Sequence, residues 1–265
     1  MLTSKILTAL LFAGTTLAFA DTAAGIKALD AKDYATAYRE LKAGADQGIP
    51  EAEFYLGVMY AKGIGVEQDI SEAMRLYHLA AAQGNAQAQF RLGVRYAQGW
   101  GVQQDMAEAS RWLQMAANQG DGRAQENIAQ LYEDGAGVQQ DYKTAVYYYK
   151  LSAAQGVREA QYNLAELIEK GKGVKRDDAA AFKLYKQAAN RGYAPAEEKV
   201  GRMYATGTGV AADPAQAYFW STLAAKQNEK NAEKRLQALA AKLSAEQAAK
   251  LKQSADDWKP ILAAK

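Results

Sequence analysis

Six aspartates recur at one interval: Asp33, Asp69, Asp105, Asp141, Asp177 and Asp213 stand 36 residues apart. Carboxylates in register are raw material for metal sites and acid–base pairs. Each of these, however, precedes a helical apolar pattern, where a carboxylate accepts hydrogen bonds from free first-turn amides and is worth about 1 kcal/mol as a cap. Capping is the expected role. His78 is the only histidine, and its counterparts at the same interval are Lys42, Gln114, Lys150, Lys186 and Thr222. A column that changes polar type in this way reads as solvated surface, with no partner motif for catalysis. One histidine and no cysteine leave little to hold zinc. No serine begins Ser-x-x-Lys, and neither Lys-Thr-Gly nor Gly-x-Ser-x-Gly occurs, so the serine acyl-transfer motifs are missing. Gly63-x-Gly65 departs from a dinucleotide loop, because position 68 is Gln68 and the loop joins two helices where a strand should come first. A phosphate loop is absent as well. The expectation is a chain without catalytic residues, metal ligands or cofactor.

What positions these residues is a repeat. The interval of 36 also carries Leu56, Leu92, Ile128, Leu164, Val200 and Leu236. It carries two glycine ladders, starting at Gly63 and Gly65 and running to Gly207 and Gly209. Self-similarity at a short fixed period predicts an all-α solenoid, one elongated array of antiparallel helix pairs. In each unit the first helix presents an apolar stripe such as Ala52, Leu56 and Met59 or Tyr60. Small residues at Ala52 and Gly57, and at their counterparts, let helices approach closely. Gly63 and Gly65 bracket the turn, and Val66 fills the space beneath it. The second helix starts after Asp69, with Glu72 at capping-box spacing, as Glu108 is after Asp105. Its aromatic positions, among them Trp112, Tyr148, Tyr149, Tyr185 and Trp220, read as core.

The composition is that of an ordinary globular protein, 49% hydrophobic and 23% charged, so a substantial core is within reach. A net charge of +2 from 32 basic and 30 acidic residues is too balanced for a nucleic-acid footprint. Residues 1–20 combine Lys5, an apolar run from Ile6 to Leu17 and the small residues Ala18 and Ala20, the pattern of a signal peptide cleaved before Asp21. That run is broken by Gly14, Thr15 and Thr16 and is too short for an anchor, so the expected product is periplasmic or secreted, without a stable membrane anchor. Lacking cysteine, an exported fold must be held by packing alone. The expected organisation is a signal peptide at 1–20, an N-terminal capping helix pair at 21–49, five repeats over 50–229 and C-terminal capping helices at 230–265. Ser244 with Gln247 predicts a capping box opening the last helix, whose face bearing Lys250, Lys252, Asp256 and Asp257 meets water.

The segments LGVMYAKGIGVEQD, LGVRYAQGWGVQQD, IAQLYEDGAGVQQD, LAELIEKGKGVKRD and VGRMYATGTGVAAD, each followed by D-x-x-x-A and A-A-x-x-G spacing, resemble the Sel1-like repeats related to tetratricopeptide arrays. Two departures are visible. Ile168 replaces the tyrosine of the fourth unit, and Glu197 and Glu233 stand where Gln89, Gln125 and Gln161 recur. The resemblance implies a right-handed superhelix whose first helices line a concave face, used as an adaptor or scaffold for a protein or peptide in the bacterial envelope. It offers two alternatives: cell-wall or β-lactam-related binding or hydrolysis, suggested by cysteine-rich relatives whose cysteines are missing here, and a purely structural envelope component.

Positions that must pack stay alike between units, while positions facing solvent or ligand diversify. Two first-helix columns diversify. One is Tyr55, Arg91, Asn127, Asn163 and Lys199; the other, three residues on, is Val58, Val94, Gln130, Glu166 and Arg202. Residues three apart share a helix face, so together they form the expected protein-binding stripe. Tyr55 and Arg91 are of types enriched in interface hot spots.

Overall fold

The computed structural model describes residues 22–261; the expected signal peptide and its cleavage point lie outside them. Every regular element among these residues is a helix. They are α1 (22–30), α2 (Tyr34–Asp46), α3 (Pro50–Lys62), α4 (Ile70–Ala82), α5 (Ala86–Gln98), α6 (Met106–Asn118) and α7 (Gly122–Asp134). There follow α8 (Tyr142–Ala154), α9 (Arg158–Lys170), α10 (Asp178–Asn190), α11 (Ala194–Thr206), α12 (Pro214–Lys226), α13 (Ala232–Ala240) and α14 (Ala245–Asp257). Among the described residues no helix is long and apolar enough to cross a membrane. The chain divides into two compact units, Met1–Ala124 and Gln125–Lys265, with the boundary inside α7.

In the first unit, the pairs α3/α4 and α5/α6 are built by the small residues of their first helices. A Cβ on Gly57 would lie 2.9 Å from the Tyr77 ring, and one on Gly93 would lie 2.5 Å from Leu113. Those two glycines let α4 and α6 come close enough to bury Leu76, Tyr77 and Leu113 almost completely. Leu41, Leu56 and Met59 fill the space next to α2, while Phe54, Met74, Leu92 and Trp112 form the neighbouring cluster. Val66 is half-buried against the α2 side of this core.

The second unit repeats the plan with a larger continuous core, which includes Tyr149, Leu164, Leu167, Tyr185, Val200, Met203 and Trp220. Its end is closed by α14, which buries Ala255 and stacks Trp258 edge-on to Trp220 at 5.9 Å between centroids. Lys226 Nζ donates to the Ala255 carbonyl at 2.7 Å, and beyond the helix the Ile261 amide donates to the Asn190 carbonyl at 2.8 Å. Lys250, Lys252, Asp256 and Asp257 are exposed, and the reciprocal box between Ser244 and Gln247 opens the helix.

The turns explain why the interval is so strict. Gly63 ends α3 in the left-handed region at φ 65°, donating its amide to the Met59 carbonyl. Two residues later Gly65 sits so close to the start of α2 that a Cβ would fall 2.5 Å from Tyr34 Cβ. In the second unit Gly173 and Gly209 press on Tyr142 and Asp178 in the same way. One turn therefore needs glycine twice, once for backbone conformation and once for the approach of the preceding repeat.

Candidate functional site

The aspartate ladder caps helices. Asp33 accepts from Thr36 N at 3.2 Å, Asp69 from Glu72 N at 2.9 Å, Asp141 from Lys143 N at 2.9 Å and Asp177 from Ala180 N at 2.9 Å. Asp105 and Asp213 each accept two first-turn amides. The capping boxes expected at Asp69 and Asp105 are only half formed. The Asp69 amide already donates to the Tyr60 carbonyl and the Asp105 amide to Tyr96, so Glu72 and Glu108 turn outward to Arg75 and Arg111.

His78 departs from the expectation of a solvated position. It is half-buried, edge-on to Tyr96 and Trp112 at 6.1 and 5.8 Å, with its Nε2 3.3 Å from the Tyr96 hydroxyl. Aromatic side chains from the next repeat cover it, and that burial pushes its pKa down. Among the described residues no group of three or more His, Asp or Glu side chains is placed to hold a metal ion.

A second polar column is buried within the packing. Glu53, Gln89, Gln125, Gln161 and Glu197 are each at most 4% exposed. Four of them meet a glutamine 30 residues on: Gln83 donates to Glu53 at 2.9 Å, Gln119 to Gln89, Gln155 to Gln125 and Gln227 to Glu197 at 2.8 Å. Position 191 is Arg191, so Gln161 Oε1 is left without a hydrogen bond beside a cavity of about 410 Å³. Burial raises the Glu197 carboxyl to about 7, against the pull of the Gln227 amide.

The diversified first-helix columns lie half-buried at Tyr55 and Val58 on α3 and at Arg91 and Val94 on α5. In the second unit they are Asn127 and the exposed Gln130 on α7, Asn163 and Glu166 on α9, and Lys199 and Arg202 on α11. Here the columns are cross-linked. Lys199 Nζ lies 3.0 Å from Glu166 and 3.2 Å from Glu169, Arg202 lies 2.6 Å from Glu169, and Asn163 donates to Glu126 at 3.2 Å. Glu169 also accepts the buried Tyr185 hydroxyl at 2.7 Å, as Glu133 accepts that of Tyr149 at 3.0 Å. Burial works to raise the Glu169 carboxyl, yet the Tyr185 hydrogen bond and the Lys199 and Arg202 cations carry it below its ordinary value. Glu126, without a cation, is raised to about 7 by burial and then by Glu159.

The first unit has no such carboxylates. Position 61, where Glu133 and Glu169 would fall, is Ala61. Arg91 has no ion-pair partner among the described residues. Arg95, one turn on, is 8% exposed, and its Nη1 has no hydrogen-bond partner. Its guanidinium stacks 4.1 Å over the ring of Trp100, which is 57% exposed. The sequence did contain this signal: the Arg95 column is otherwise Met59, Leu131, Leu167 and Met203. A cation at a core position marks a departure that packing alone does not require.

The sequence matches the Sel1 repeat family at residues 50–85, 86–121, 122–157, 158–193 and 194–229. Among solved structures, the chain is similar to a protective antigen present in uropathogenic Escherichia coli strains and displaying an SLR fold. The identity is 32% and the TM-score 0.80, over 91% of this chain and 53% of that one, so the chain spans about half its length. It is similar also to a Sel1 repeat protein from Oxalobacter formigenes, at 32% identity and TM-score 0.77, over 88% of this chain and 98% of that one. No curated protein matches the chain.

Proposed function

Because the chain belongs to the Sel1 repeat family, whose members typically mediate protein–protein interaction, we propose that it is an envelope scaffold that seats a protein or peptide on the first-helix face of its repeats. The observation that carries this reading is the contrast between columns. Leu56, Leu92, Ile128, Leu164 and Val200 hold one apolar type and are buried, whereas Tyr55, Arg91, Asn127, Asn163 and Lys199 on the same helices run through an aromatic, a cation, two amides and a second cation and remain half-exposed. A face that shares the fold's geometry but not its chemistry suits recognition. The leader-like residues 1–20 support a periplasmic or secreted setting.

A photoreactive side chain at Val58 or Gln130, compared with one at Arg75 or Arg111 on second helices, tests the assignment in the native envelope. Cross-links to one protein from the first-helix positions are expected. Cross-links from Arg75 and Arg111 alone would move the site to the other face.

A further inference from the structure

We infer that the first unit carries a carboxylate-binding site formed by Arg91, Arg95 and Tyr77, and that its ligand is an acidic side chain on a peptide segment of the partner. This rests on the reading of the first-helix face as a binding surface and names its chemistry.

The second unit supplies the template. There a tyrosine of the second helix, Tyr185, and two cations of the following first helix, Lys199 and Arg202, converge on one carboxylate, Glu169, from the preceding first helix. Moving back three intervals gives Tyr77 for Tyr185, Arg91 for Lys199 and Ala61 for Glu169. A second cation is again present, although it comes from Arg95 and not from position 94. The donors are thus retained while the acceptor has become a methyl group. Burial raises the Tyr77 hydroxyl pKa, and the charges of Arg91 and Arg95 both act against that rise, so the hydroxyl and both cations share one environment.

Arg95 shows that this is more than a solvated face. A guanidinium that is nine-tenths buried pays for its lost hydration only when its donors are used, and Nη1 has no partner. Guanidinium forks match carboxylates in plane and in spacing. The exposed edge of Trp100, held against Arg95, adds apolar surface for the stem or backbone that brings the carboxylate in. Two cations and a hydroxyl with no acid among them select an anion. Their place beside half-buried Tyr55, Val58 and Val94 selects one borne on a chain and not a free ion.

The test is titration of the full chain with a fluorescein-labelled short polyglutamate peptide at low ionic strength, read by anisotropy, with polyglutamine as the neutral control. Saturable binding of polyglutamate alone is expected. Arg91→Gln, Arg95→Met and Ala61→Glu should each weaken it by about tenfold or more. Arg95→Met restores the residue type of Met59 and Met203, and Ala61→Glu supplies the carboxylate internally. Unchanged circular dichroism certifies the fold of each variant, and Arg176→Gln, an equal charge change on an exposed loop, should bind like the parent. Equal binding of polyglutamine, or undiminished binding by folded Arg91→Gln and Arg95→Met, overturns the site. Binding of inorganic phosphate that Arg91→Gln abolishes, without binding of polyglutamate, overturns the peptide ligand. Should polyglutamate fail while cross-links still arise from Val58, the first-helix face stands and only its acidic partner falls.

Discussion

Lys199 and Arg202 in the second unit reach back to carboxylates one repeat earlier, whereas in the first unit Arg91 and Arg95 have no ion-pair partner among the described residues and the Arg95 guanidinium lies over the Trp100 ring. The helices that carry these cations are the same length and end in the same left-handed glycine. Their small residues face the second helix in the same way, Gly93 against Leu113 and Gly201 against Ser221. Helix pairing is therefore indifferent to what the outward columns hold. One repeat design accommodates polar side chains that join neighbouring repeats and polar side chains that do not, and the chain contains both.

The comparison would break first at the core. If the two units share their packing, Leu92→Ala and Leu164→Ala should each cost roughly 2 to 5 kcal/mol, measured by thermal or denaturant melts. A cost confined to one unit would mean that the repeats are not equivalent. Glu169→Gln sharpens the contrast from the other side. It strips the charge that Lys199, Arg202 and Tyr185 share, and a loss of about 1.5 to 3 kcal/mol is expected, the range for hydrogen bonds to charged groups. No loss would show that this network is solvated and idle. The smallest effect is a slope. The Glu197 carboxyl is raised to about 7 in the fold from an ordinary value near 4.5, so between those limits the folded state binds more protons than the unfolded one. Stability should fall as pH rises through that window, by at most about 1.4 kcal/mol per pH unit for one group. Glu197→Gln, which installs the residue type of Gln89 and Gln125, should flatten the curve.

Packing was legible in the sequence because the backbone demands it at every turn. Leu56 and its counterparts, the aspartate caps and the paired glycines answer requirements that recur each 36 residues, and a recurring requirement leaves a recurring letter. What did not recur was harder to read. His78 looked solvated because its column varies, but the rings that cover it, Tyr96 and Trp112, belong to the next repeat. Glu72 stood at capping-box distance from Asp69, yet the amide it would have met was already taken by the Tyr60 carbonyl. Glu126, Glu133 and Glu169 escaped notice because side-chain reach between successive helices is not written in column identity. Arg95 escaped notice too, although as an odd letter in an apolar column it had left a signal.

The bonds that tie one repeat to the next in the second unit reach no farther than the 37 residues between Glu126 and Asn163. Such short spans keep contact order low, so each loop that closes between these repeats during folding is small and its entropic cost modest. They also make the sequence modular in inheritance. Ahead of the segment that Ile261 closes onto Asn190, duplicating or excising one block of 36 residues adds or removes a set of neighbour contacts and orphans no distant partner. A lineage can thus lengthen this chain, or exchange the letters on one face, without renegotiating the rest of the fold.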